Sequence, residues 1–201
     1  MPKTAMVGSE EVQKSDSENQ KNETPDKSAW YVLRVTYQRE MQAHLKLVDM
    51  GIESYVPTQR KKIVRGGRST YRTVSALHNY IFVRATLDEI KHIKALYIPY
   101  LRFMMGRDER GNKCPQCVPE EQMRHFIAIT GSENQMIKYL DPESIDLTKG
   151  DRVRILAGPF EGVEGTFMKI SAKNEKRVVV KIEGVTAVAT AALPAALVER
   201  I

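Results

Sequence analysis

Three things are scarce in this chain, and each scarcity excludes a class of protein. Only two cysteines, Cys114 and Cys117, occur in 201 residues, too few for the disulfide framework of a small secreted scaffold. No apolar run approaches the ~20 residues that a membrane-spanning helix needs. Residues 1–27 also lack the apolar core of a signal peptide, so a cytoplasmic protein without a membrane partner is expected. Acid is the third shortage, since no Asp or Glu stands between Glu53 and Asp88. Glycine-rich nucleotide loops are missing, and the four scattered histidines join no Ser-His-Asp or paired-carboxylate pattern. The expectation is therefore a non-enzyme with no catalytic residue, no cofactor and no metal.

What is present is basic, and unevenly so. Residues 1–28 carry 4 Lys/Arg against 6 Asp/Glu, net −2. Residues 29–140 carry 18 against 10, net +8, and residues 141–201 carry 9 against 9, net 0. A polyanion is drawn to the middle segment, whereas the neutral last segment suits a protein partner. Residues 1–28 are polar and nearly free of large apolar side chains, so burial cannot offset chain entropy and a disordered tail is expected.

Order is expected from Ala29. Trp30 to Tyr37 is aromatic and β-branched, a strand. Arg39–Met50 places Met41, Leu45 and Val48 at helical spacing, with Gly51 as the stop. Strands are expected at Ile52–Pro57, Tyr80–Val83 and Tyr100–Met104. Arg60–Arg72 reads as a ribbon turning at Gly66-Gly67. Thr86 and Glu89 form a capping box for a second helix with Leu87, Ile90 and Ile93 as its apolar stripe. Pro119 starts a third helix, with Met123, Phe126 and Ile127 inward and Gly131 as its end. Residues 132–148 show no period and read as a linker around Pro142. The last ~50 residues hold five short strands between turn signals, a small barrel.

Within that barrel, Gly150, Asp151, Val153, Gly158, Pro159, Phe160, Gly162 and Gly165 spell a strand, a glycine-proline turn and a returning strand. The stretch resembles the KOW motif of NusG-type transcription factors and several ribosomal proteins. Upstream, Trp30-Tyr31-Val32-Leu33, a helix opening with Arg39-Glu40, and Asn79-Tyr80-Ile81-Phe82-Val83 resemble the NGN domain of the same factors, with His78 where the family often has Pro. The ribbon Lys62-Ile63-Val64-Arg65-Gly66-Gly67-Arg68 resembles that of RfaH-type specialised paralogues.

This resemblance implies an α+β protein. An NGN α/β sandwich over 29–131 would hold a mostly antiparallel four-stranded sheet with flanking helices, and an SH3-like five-stranded β-barrel would occupy 149–201. It implies a monomeric transcription elongation factor that binds RNA polymerase and promotes processive elongation or antitermination, as a specialised paralogue acting on long operons such as surface polysaccharide clusters. Tyr55, Tyr80, Phe82 and Phe103 would form the polymerase-binding patch. Arg34, Tyr37, Gln38, Arg39 and His44 would lie near the non-template DNA strand of the transcription bubble, a place where Tyr and Arg can stack on and neutralise a single strand. The cations Arg60, Lys61, Lys62, Arg65, Arg68 and Arg72 would contact phosphates. The barrel would recruit a ribosomal protein or Rho, and its valine-rich strands favour a stable barrel over a helical hairpin.

Two other readings stay open. One is a ribosome- or RNA-associated KOW protein, against which the barrel's zero net charge argues. The other is a thiol-disulfide oxidoreductase using Cys114-Pro115-Gln116-Cys117, although a redox pair should open a helix directly after a strand, and a zinc site lacks its other ligands.

Overall fold

The computed structural model describes residues 27–108, 110–132, 137–140, 146, 149–170, 176–182 and 184–201. The expected disordered tail lies almost wholly outside them. Strand β1 (Ala29–Val35) is the centre of the first sheet. Tyr31, Leu33 and Val35 point to one face and Trp30 and Val32 to the other, and all five are buried. Burial on both faces is why the segment reads as a continuous apolar run.

Three antiparallel partners flank β1. On one side lies β5 (Tyr80–Ala85), with Val32 opposite Phe82. On the other lie β6 (Leu101–Phe103) and β9 (Cys117–Val118). Strand β2 (Glu53–Tyr55) extends the sheet beyond β5. Helices α1 (Glu40–Asp49) and α2 (Leu87–Leu96) accompany the face that buries Leu33, Ile81, Val83 and Leu101. The expected capping box of α2 is formed, with Glu89 N–H donating to Thr86 Oγ1 at 3.2 Å and Thr86 N–H to Glu89 Oε2 at 2.7 Å.

The stripe expected to anchor α1 faces water. Met41, Leu45 and Val48 are exposed, while Glu40, Ala43 and Leu47 are buried. Both stripes have helical spacing, so period alone did not choose between them.

Strands β3 (Thr58–Arg65) and β4 (Arg68–Ser75) form a separate two-stranded ribbon. Its turn, Gly66 at φ 55° and Gly67 at φ 74°, meets the two positive φ values of a type I′ hairpin. The segment expected as a loop after β6 holds a second small hairpin, β7 (Met105–Arg107) and β8 (Lys113–Pro115).

Helix α3 (Glu120–Thr130) covers the other face of the first sheet. Its buried residues are Met123, His125, Phe126, Ile129 and Thr130. Ile127, expected inward, is only half-buried, and Ile129 takes the inner position.

The C-terminal domain is one antiparallel sheet of β10 (Lys138–Leu140), β11 (Asp151–Ile155), β12 (Glu164–Lys169), β13 (Lys176–Ile182), β14 (Thr186–Ala189) and β15 (Val198–Arg200). Its order is β10-β14-β13-β12-β11-β15. Five of these strands match the expected ones. The sixth, β10, comes from the segment read as linker and pairs Tyr139 with Val188.

Glycines shape this sheet at two points. Gly162 sits at φ 77° in the return from β11. At Gly165, a Cβ would lie 2.5 Å from the Val179 carbonyl oxygen, so no side chain fits between β12 and β13. The described residues are therefore mixed α/β, with three α-helices and antiparallel strands in an N-terminal domain and a C-terminal β domain.

One apolar cluster runs through both domains. It passes from Trp30, Val32 and Phe82 through Phe126 and Ile129 of α3 to Val153, Phe160, Val178 and Val188. Each such large side chain contributes about 1.5–3 kcal/mol on full burial.

Candidate nucleic-acid interface and the covered sheet face

The cations expected on the ribbon are all there. Arg60, Lys61, Lys62, Arg65, Arg68 and Arg72 are exposed, on a ladder that pairs Thr58 with Ser75 through Arg65 with Arg68. The Arg60 guanidinium lies 5.5 Å from the ring centre of Tyr71, an exposed aromatic that sequence reasoning had passed over.

Between β1 and α1 the backbone is strained. Tyr37 (φ 61°) and Gln38 (φ 53°) occupy the left-handed region, and so does Asn79 (φ 67°) just before β5. Such conformations cost about 1–3 kcal/mol each and persist where neighbours enforce them. Here a short polar chain does so. The Gln38 N–H donates to Asn79 Oδ1 at 3.4 Å, and the Asn79 N–H donates to the carboxylate of Glu40, which is 2% exposed. The result presents Tyr37 with 86% of its surface free. Arg39 stacks at 5.4 Å from the Tyr37 ring centre and 3.9 Å from that of Tyr100, while Arg34 lies 5.6 Å from that of Tyr80.

Arg34, Tyr37, Gln38 and Arg39 thus share one neighbourhood with Tyr80. His44 does not join it through its ring, because Nδ1 pairs with Ser54 Oγ at 2.8 Å, toward β2. Glu40, Asn79 and Tyr100 were missed. An acid inside a basic site carries no sequence signal, and Asn79 is 39 residues from its partner.

The four residues expected as one apolar patch are not together. Tyr80 and Phe82 share a face, as alternation requires. Phe82 is fully buried, with its ring centre 5.2 Å from that of Phe126 on α3. Tyr55 lies against the same ring at 6.3 Å and pairs its hydroxyl with Thr130 Oγ1 at 2.6 Å. Burial pushes the Tyr55 phenol up from its ordinary pKa. Phe103 belongs to the opposite face, edge-on to Tyr31 with Lys94 Nζ 4.1 Å from its ring centre. The sheet face that carries Tyr80 and Phe82 is covered by α3, and the C-terminal domain packs on α3.

Polar contacts tie the two domains. Gln122 Nε2 donates to the Lys181 carbonyl oxygen, and the Glu164 N–H donates to His125 Nδ1 at 3.4 Å. Burial, and then the nearby Arg124, push the His125 pKa below its ordinary value against the opposing pull of Glu164 and Glu121.

The model of the family described as "Transcription termination factor nusG" matches residues 28–127. The chain belongs to the NusG family. It is 26% identical over 170 residues to the transcription termination/antitermination protein NusG of Borreliella burgdorferi, spanning 78% of this chain and 90% of that one. To the protein of that name from Synechocystis sp. it is 21% identical over 174 residues, spanning 78% and 82%. A solved structure described as "Domain interaction in Thermotoga maritima NusG" aligns with a TM-score of 0.42 and 22% identity, covering 87% of this chain and 98% of that one.

NusG-family proteins are transcription termination/antitermination factors rather than enzymes, and the cysteine pair gives no contrary sign. Cys114 sits in β8 and Cys117 in β9, so neither opens a helix. Burial raises the Cys117 thiol pKa, partly countered by a hydrogen bond with Tyr31, whereas a nucleophilic thiol needs a lowered one. Among the described residues no group of three or more His, Cys, Asp or Glu is placed to hold a metal ion. Nor is any helix among them long and apolar enough to cross a membrane.

Proposed function

We propose that this NusG-family protein is an elongation factor that binds RNA polymerase and promotes processive, antiterminated transcription. We assign it to the specialised RfaH-type paralogues that serve particular long operons, such as surface polysaccharide clusters. The observation that carries the reading is the succession of a NusG-type domain at 28–127 and a β domain built on the Gly150–Gly165 motif. The Lys62–Arg68 ribbon supports the specialised assignment by its resemblance alone.

In this reading the nucleic-acid contacts are the ribbon cations and the Arg34–Arg39 turn. Tyr37, exposed on strained backbone and flanked by arginines, is suited to stack on an unpaired base of the non-template strand. The polymerase surface is the sheet face that carries Tyr80, Phe82 and Tyr55. Because Phe126 of α3 covers Phe82 and the C-terminal domain packs on α3, docking there requires both layers to move, which also releases the neutral C-terminal domain to recruit a ribosomal protein or Rho.

In vitro transcription through a pause site and a terminator, with and without the protein, tests the proposal. Increased read-through with co-elution of protein and polymerase is expected. Unchanged read-through on every template together with no co-elution overturns it.

A further inference from the structure

The two faces of the ribbon differ chemically. Residues directly opposite on an antiparallel ladder share a face. One face holds Arg60 opposite Thr73, Lys62 opposite Tyr71 and Val64 opposite Ser69. The other holds Lys61 opposite Arg72 and Arg65 opposite Arg68, with Ile63 opposite Thr70 between the two pairs. On this second face every charge is positive, and each cation stands across from another.

Like charges directly opposite destabilise a ladder. None of Lys61, Arg65, Arg68 and Arg72 takes part in an ion pair among the described residues, and all four are exposed. Among the described residues the repulsion is thus uncompensated, and an external polyanion relieves it. The spacing says which kind. The pairs are four residues apart along each strand, about 13 Å at the rise of a β-strand. That is close to the ~12 Å width of the B-DNA major groove, which also admits a two-stranded ribbon.

Resting on the reading of the ribbon as a nucleic-acid contact, we propose that its cationic face seats on duplex DNA, the two pairs meeting the phosphate backbones on either side of one groove. Single strands fall to the Tyr37 turn. Surfaces that hold a single strand interleave aromatics with charge, and the cationic face has none. Tyr71 is on the opposite face, with Arg60 against its ring. Duplex RNA fits poorly, because its major groove is deep and narrow.

The test is fluorescence anisotropy of the full chain with a random ~30-base-pair DNA duplex, an oligo-dT of equal length and the matching RNA duplex, across a salt series. The combined variant Lys61→Gln, Arg65→Gln, Arg68→Gln, Arg72→Gln is expected to lose at least about tenfold in duplex-DNA affinity. Its log-log salt slope should flatten by about 3–4, since each phosphate contact contributes roughly 0.9. Oligo-dT affinity should fall much less. Removing two charges from each face separates position from net charge: Lys61→Gln with Arg72→Gln should cost more duplex affinity than Arg60→Gln with Lys62→Gln. Thermal melting of each variant verifies folding.

Equal losses from the two faces, equal losses on duplex and oligo-dT, or tighter binding to the RNA duplex would each overturn the inference. If the wild type raises read-through while the fourfold variant binds duplex DNA unchanged, this inference falls and the elongation reading stands. If polymerase binding and read-through are absent while the duplex results come out as expected, the elongation reading falls and this inference is upheld.

Discussion

The two faces of the N-terminal sheet are covered in different ways. The face of Leu33, Ile81 and Val83 is closed by α1 and α2, each joined to the sheet by a few residues. The face of Val32 and Phe82 is closed by α3 and then by a domain whose strands begin beyond residue 137. The first cover comes with folding of the domain itself. The inner layer of the second, α3, also comes with the domain, one residue after β9; only the outer layer depends on two domains staying together, with Gln122 and His125 of α3 among the contacts. The outer layer can leave without unfolding the sheet, and what it uncovers first is α3.

The sharpest way to break the comparison is one large truncation on each face. Phe126→Ala empties the space beside Phe82 and Tyr55 and is expected to cost about 3–5 kcal/mol, and Ile81→Ala about 2–5 kcal/mol. In urea unfolding followed by hydrogen exchange, Phe126→Ala should lower protection in both domains. Ile81→Ala should lower it in the N-terminal domain alone. Equal loss in the C-terminal strands for both would erase the distinction.

Gly165→Ala comes next. Its Cβ would meet backbone, which cannot rotate away, so about 1–3 kcal/mol is expected from overpacking. Thermal unfolding should show the loss in the C-terminal sheet while the α1 and α2 amides keep their protection. Gln122→Ala removes one interdomain hydrogen bond, worth about 0.5–1.5 kcal/mol. It should leave the melting of each domain in place and increase polymerase retained in a pull-down; a decrease would argue against a removable cover.

The smallest effect concerns pH. The docked His125 accepts a hydrogen bond at Nδ1, so protonation opposes docking, and its pKa is depressed. Its contribution is fully present above the ordinary histidine value of about 6.5 and is lost as pH falls through the depressed one. Protection factors at the α3 amides, taken relative to the intrinsic exchange rate at each pH, should therefore fall from pH 7.5 to pH 5, and His125→Gln should flatten that dependence.

What could be seen in the sequence was what local chemistry decides. Thr86 and Glu89 are three residues apart and satisfy each other's backbone, so the start of α2 was legible. Gly66-Gly67 likewise dictated the ribbon turn, and the valines of β13 its strand. What could not be seen depended on distant partners. The choice between the two stripes of α1 is settled by packing and by Glu40 reaching Asn79. Three residues, Lys138–Leu140, become a strand because β14 offers an open edge. Phe82 kept its expected face, but the cover over that face comes from Phe126, 44 positions further along. The cations of the ribbon were legible as a group, whereas their division between two faces needed the register.

The pairing of β10 with β14 also sets how far the domains can part. If all of 132–148 were free, its 17 residues would reach at most about 60 Å. With β10 held in the C-terminal sheet, only residues 132–137 connect the two bodies, a leash of at most about 20 Å. A C-terminal domain released from α3 therefore stays within roughly one domain diameter of the α3 surface it uncovered. Its effective concentration there remains high, and a partner must compete with its return on every encounter.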